Sequence, residues 1–100
     1  MSPLNWEQVK QRYPDGTMVP HITGSRRFEI LRITDDAIYF KWGVVLEGTL
    51  SRSNLERAVE LLNQGMMRPD PASLTSDYRT LVSDQRPTTA VALLKDLGYW

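Results

Sequence analysis

The stretch ITGSRRFEILRITDDAIYFKW, residues 22–42, decides the fold because it contains two apolar runs separated by two adjacent aspartates. Residues 28–34 and 37–42 are rich in β-branched, aromatic and long aliphatic side chains, as strands are. Asp35 and Asp36 can hydrogen-bond their own backbone, as turn residues do. The stretch therefore predicts an antiparallel hairpin.

The position of this turn also predicts which side chains share a face, since side chains alternate along a strand. Counting outward from the turn gives three opposed pairs: Ile33 with Ile38, Leu31 with Phe40, and Glu29 with Trp42. We expect one face of the hairpin to enter the core, carrying Leu31, Ile33, Ile38, Phe40 and Trp42.

The opposite face combines aromatic, aliphatic and cationic side chains, with two arginines at its rim. The predicted binding surface consists of Arg26, Arg27, Phe28, Ile30, Arg32, Tyr39 and Lys41. Such a mixture can stack a base, hold a phosphate or pack against another protein. The alternatives are an ordinary solvated sheet face, or a face covered by the first or last helix.

The segment before the hairpin offers a candidate anion loop, made of Gly24, Ser25 and Arg26. Glycine allows backbone N–H groups to converge, and an adjacent hydroxyl and guanidinium can bind an oxyanion. The alternative is a plain polar loop that leads into a strand. The segment does not match a phosphate-binding P-loop, because no lysine follows the glycine at the required spacing.

The rest of the chain predicts helices on either side of the strands. A helix is expected over residues 3–13, which carry one apolar stripe, and Ser2 or Asn5 can cap it. A second helix is expected over residues 53–64, where Ser53 and Glu56 have the spacing of a capping box. A helix is also expected at 74–83, ended by the segment DQRP at 84–87. The last helix, 88–97, is capped by Thr88, and its expected solvent-facing residues are Thr88, Thr89, Ala92, Lys95 and Asp96. Pro69 and Pro71 should interrupt regular structure between the helices.

These elements predict an α+β fold in a single domain, residues 1–100. An N-terminal helix leads into a three- to four-stranded antiparallel meander over about 17–50, in which Gly48 can mark a bulge. The capped helix 53–64 and the C-terminal helices follow. The alternative is an SH3-like barrel with helices appended.

Composition narrows the class of function. The chain has 100 residues with 12 Lys and Arg against 12 Asp and Glu, so no overall charge attracts a phosphate polymer. It has no cysteine and a single histidine, His21, and no spacing joins that histidine to a nucleophile. We therefore expect no catalytic residues, no metal site, no cofactor and no enzymatic activity.

The expected partner is a protein, or a second copy of the chain, and the expected role is that of a small non-catalytic binding domain. The alternative is a nucleic-acid-binding module that uses the basic and aromatic sheet face. The N-terminus does not resemble a signal peptide, and no apolar stretch approaches the roughly 20 residues of a membrane helix. We expect a cytoplasmic protein without a membrane partner.

Overall fold

Four strands, adjacent in chain order, form one antiparallel sheet, and four helices pack against one side of it. The computed structural model describes residues 3–22, 25–44 and 46–100. The elements are α1 (Trp6–Arg12), β1 (Met18–Pro20), β2 (Arg27–Ile33), β3 (Ala37–Trp42), β4 (Leu46–Ser51), α2 (Arg52–Asn63), α3 (Pro71–Leu81) and α4 (Pro87–Asp96). The predicted α+β fold and its element order are confirmed. The barrel alternative is wrong, because β1 and β4 lie at opposite edges of an open sheet.

Strand β2 contains one extra residue, Leu31. Ile33 pairs with Ile38 as the turn predicts, but Arg32 pairs with Tyr39 and Ile30 with Phe40, so Leu31 has no partner on β3. This is a β-bulge, in which two residues of one strand oppose one residue of the other. Counting alternate residues from the turn therefore assigns the β2 residues that precede Leu31 to the wrong face of the sheet.

The bulge moves Phe28 and Ile30 into the core, and both side chains are fully buried. Their predicted place on the binding surface is wrong for this reason. Leu31 was predicted to enter the core. It is only half-buried and is not among the hydrophobic residues that pack against the core. On β3 the predicted core residues Ile38 and Phe40 are buried as expected.

Helix α4 is the most buried helix of the described chain. Its six consecutive residues from Thr89 to Leu94 are all buried, so it has almost no solvent-facing side. The prediction that Thr89 and Ala92 would be exposed is wrong, because α4 packs between the sheet and its neighbouring helices. Its N-cap is Arg86 and not Thr88, and the Arg86 side chain makes no capping hydrogen bond.

The remaining helices begin where a side chain accepts a hydrogen bond from the first turn. Asn5 accepts from the Gln8 N–H in α1, Ser51 from the Asn54 N–H in α2, and Asp70 from the Ser73 N–H in α3. The predicted caps differ in α2, where Ser51 replaces Ser53. In α3, Pro71 occupies the first turn and so begins the helix that it was expected to prevent.

Polar contacts join α1 and its C-cap residue, Tyr13, to distant parts of the fold, and two of them are partly buried. The Tyr13 hydroxyl donates to Asp96 Oδ2 at 2.6 Å, at the end of α4. The Trp6 indole donates to the Thr34 carbonyl at 2.8 Å, beside the hairpin turn. Burial raises the pKa of Tyr13 well above its usual range, with the Asp96 hydrogen bond as the next cause, so the phenol stays protonated and remains a donor. No helix in the described ranges is both long and apolar enough to cross a membrane.

Gly48 does not form the predicted bulge, since it pairs in regular register with Phe40. A Cβ at this position would lie 2.7 Å from Cζ of the Phe40 ring, which is fully buried and packs edge-on against Phe28. We expect Gly48→Ala to lower the free energy of unfolding by about 1–3 kcal/mol, because a packed ring has to move. Urea unfolding measures this loss. Thr49→Ala, on the opposite face, should change stability by less than about 0.5 kcal/mol; equal effects of the two substitutions would contradict the close approach.

Deletion of Leu31 should leave the protein folded, because it removes the unpaired residue and keeps every other pair of β2 and β3 in register. Deletion of Glu29, which pairs with Lys41, should abolish folding, because it turns the strand residues that precede it to the opposite face. Amide spectra and urea unfolding of the two deletion variants measure the difference. A folded Glu29 deletion, or an unfolded Leu31 deletion, would show that the bulge does not set the face of β2.

Candidate functional site

The sheet face turned away from the helices is the first candidate surface, and we call it the open face. Strand register assigns to it Met18, Arg27, Glu29, Arg32, Tyr39, Lys41, Glu47 and Thr49, with Leu31 at the bulge. All four helices bury their apolar side chains in one cluster with the other face of the sheet. Within the described residues the open face is therefore bare, and the alternative of a helix lying over it is wrong.

Arg32 and Tyr39 are the pair that the structure brings together on this face. The Arg32 guanidinium carbon lies 4.2 Å from the centroid of the Tyr39 ring, a close cation–π contact between opposed residues of β2 and β3. The contact holds a long flexible cation over an aromatic ring. Arg32 is exposed and Tyr39 is half-buried, so both remain accessible to a partner.

Lys41 also lies on the open face, but its charge is locally balanced. Its Nζ is 3.9 Å from Glu29 Oε1 on β2, and Glu47 pairs with it from β4. The row across the sheet thus alternates carboxylate, ammonium and carboxylate, whereas the next row carries Arg32 as its only charge. The open face is amphipathic and mixed in charge, and it lacks the continuous positive strip that a nucleic-acid backbone requires.

The two arginines before β2 separate from each other. Arg27 pairs with Pro20 at the edge of the open face, while the Arg26 guanidinium lies 6.0 Å from the Trp42 ring, and Trp42 packs against the core. Ser25 is exposed. Gly24 lies outside the described residues, so the predicted anion loop is placed only in part.

A cavity of about 330 Å³ at the other side of the sheet is the second candidate site, which we call the arginine cavity. Two arginines line it: Arg26, in the loop before β2, and Arg86, the residue that precedes α4. No described carboxylate lines it, and neither arginine forms an ion pair with a described residue. Two arginines therefore line one concave site, while Asp84 lines a separate cavity together with Arg86.

The floor of the arginine cavity is fixed by a hydrogen bond between the sheet and α4. Trp42 Nε1 donates to Thr89 Oγ1 at 3.1 Å, and the Trp42 ring packs against Phe28 at 5.2 Å between centroids. His21 stands edge-on to the same indole at 5.3 Å, and Leu46, 44 % exposed, adds an apolar side. The cavity thus combines a flat aromatic side chain with two cationic side chains.

Of the residues that line this cavity only Arg26 belongs to the predicted site, and Arg86 is the second cation, which the sequence did not predict there. It appeared only as part of a helix-breaking segment, and its importance comes from backbone geometry. Its φ of 50° places it in the left-handed region, the only such non-glycine residue in the described chain. That conformation costs roughly 1–2 kcal/mol for an ordinary residue. Its side chain then extends along β4, where the guanidinium donates to the Glu47 carbonyl at 3.4 Å.

The described residues contain no group of three or more histidine, cysteine, aspartate or glutamate side chains that could hold a metal ion. Comparison of the sequence with protein-family models and with curated proteins, and of the fold with solved structures, finds no significant match.

The contact between Arg32 and Tyr39 should be measurable as a coupling energy. A double-mutant cycle with Arg32→Gln and Tyr39→Leu, followed by urea unfolding, should give a coupling of about 0.5–1 kcal/mol, as exposed cation–π pairs do. Lys41→Gln combined with Tyr39→Leu is the matched control on the same face, and we expect a coupling below about 0.3 kcal/mol there. Coupling of equal size in both cycles would show that the ring does not select Arg32.

Proposed function

We propose that this chain is a small non-catalytic binding domain that acts through protein contacts made by the open face, and that a second copy of the chain is the partner. The supporting observation is the bare face itself, which combines an aromatic ring, a methionine and an arginine with balanced charges. Met18 is 49 % exposed on it. Tyrosine, methionine and arginine are enriched where proteins meet, and charge balance avoids repulsion between identical copies.

The order of charges favours a second copy. Glu29 lies in one row across the sheet and Arg32 in the next, roughly 7 Å further along the same strand. A twofold axis parallel to these rows, and midway between them, puts each row of one copy opposite the other row of its partner. Glu29 of each copy then faces Arg32 of the other, and Lys41 faces Tyr39. Such an arrangement uses the same patch twice, as an isologous dimer does.

The charge pattern also supports a protein over a nucleic acid on this surface. Of the residues first expected to bind a nucleic acid, Lys41 is adjacent to two carboxylates and Arg26 belongs to the other side of the sheet. Counterion release requires cations that are free to meet phosphates. Action in the cytoplasm and the absence of catalysis stay predictions from the sequence.

The size of the face sets the expected affinity. Four strands spaced by about 4.8 Å, of which three have six or seven residues and β1 has three, cover at most roughly 20 by 20 Å. This area is small for a stable interface, so we expect weak association that becomes visible at protein concentrations near 1 mM. The sheets should pack face to face, because Pro20 and the short β1 make that edge a poor place to add a strand.

A charge swap tests this proposal by sedimentation equilibrium over a range of protein concentrations. Glu29→Arg and Arg32→Glu should each weaken association about tenfold, or about 1.4 kcal/mol, because like charges then meet across the twofold axis. The double variant with both substitutions should recover most of the loss, because the opposed charges are exchanged and still attract.

Arg79→Glu is the matched control, since Arg79 is exposed on α3 and distant from the sheet. It should leave association unchanged. A wild-type protein that stays monomeric at about 1 mM would contradict the proposal. So would single reversals that have no effect, or a double variant no better than the worse single one.

A further inference from the structure

The arginine cavity has the features of a ligand site that the proposed dimer does not use. It lies on the helix side of the sheet, and its volume of about 330 Å³ falls in the range of small-molecule pockets. Arg26 and Arg86 supply two positive charges, and no described carboxylate lines the cavity to balance them. A dianion would match this charge.

A buried hydroxyl in the wall of the cavity offers one further donor. Thr89 is only 4 % exposed, and its Oγ1 accepts the hydrogen bond from the Trp42 indole. Because the oxygen is used as an acceptor, its O–H remains available to donate, and Thr89 lines the cavity. A ligand oxygen bound there can accept this hydrogen bond.

The backbone adds donors at the same place. Pro87 begins α4 and has no N–H, and the first bond within the helix runs from the Ala90 N–H to the Arg86 carbonyl. The N–H groups of Thr88 and Thr89 have no acceptor in the described part of the chain, and the Arg86 side chain does not cap them. Together with two guanidinium groups and one hydroxyl, these donors exceed what a carboxylate can accept and suit the three terminal oxygens of a phosphate.

The other wall is apolar and flat. Half-buried Trp42 and partly exposed Leu46 line the cavity beside the cations. An inorganic ion alone would leave this surface in water, whereas a ring attached to the phosphate would cover it.

We propose that the arginine cavity binds a phosphate monoester carried by a flat ring system, with the phosphate between Arg26, Arg86 and the first turn of α4, and the ring against Trp42 and Leu46. The chemical class is that of a mononucleotide. Binding of this class needs no second copy of the chain and no metal.

Titration of ¹⁵N-labelled protein with adenosine 5′-monophosphate tests the site through the Trp42 indole N–H signal, assigned from its loss in Trp42→Phe. This signal, together with the Thr88 and Thr89 amides, should shift and saturate. Arg26→Gln or Arg86→Gln should weaken binding at least tenfold, and the double variant should abolish it. Adenosine, which lacks the charge, and inorganic phosphate, which lacks the ring, should each bind at least tenfold more weakly.

Arg79→Gln and Arg32→Gln are the matched controls, and both should bind adenosine 5′-monophosphate within about twofold of the wild type. Arg32→Gln lies on the open face, so it separates failure of this site from failure of the dimer. Absence of any Trp42 shift at about 10 mM nucleotide would overturn the proposal. Unchanged binding in the Arg26 and Arg86 double variant would overturn the proposal as well. If inorganic phosphate bound as tightly as the nucleotide, the proposed contact of a ring with Trp42 and Leu46 would be wrong.

Discussion

The unpaired residue in strand β2 is the constraint on which both surfaces depend. Without Leu31 as an extra residue, Phe28 and Ile30 could not join Ile33 on the core side, because residues 28 and 33 differ in parity. With it, three large side chains enter one core and Arg32 is left opposite Tyr39. A bulge also increases local strand twist, which bends the sheet around the helices. The composition of the open face follows from this single irregularity.

The sequence predicted those parts of the fold that depend on local chemistry. The hairpin, its turn and the pair of Ile33 with Ile38 come from residues adjacent in the chain, and β3 was assigned to the correct faces. Most of α2 is amphipathic, so its buried side can be read from its spacing. The bulge could not be read this way, because an inserted residue leaves no local signature when its neighbours on both sides are apolar.

Helix α4 shows a second limit of pattern reasoning. The periodicity of apolar residues identifies the buried side of a helix only when the opposite side is exposed to solvent. Helix α4 is buried on nearly all sides. The run of threonine, alanine, valine and leucine over residues 88–94 was the available signal, since a helix that lacks a charged face is a core helix. Because Thr89 was expected in water, its pairing with Trp42 and the cavity above that pair were not expected either. Arg86 was missed because its role depends on the approach of its side chain to β4, a contact between residues 39 positions apart in the chain.

Strand β3 joins the two surfaces. Its alternate residues place Tyr39 and Lys41 on the open face, and Phe40 and Trp42 on the core side, where the arginine cavity begins. The electrostatics of the two surfaces differ, although the whole chain has no net charge. On the open face carboxylates interrupt the cations, whereas two arginines and no described carboxylate line the cavity, and a cleft lined by one sign of charge concentrates its field. Zero net charge argues against a general affinity for phosphate polymers, but it places no limit on one concave site where the cations outnumber the carboxylates.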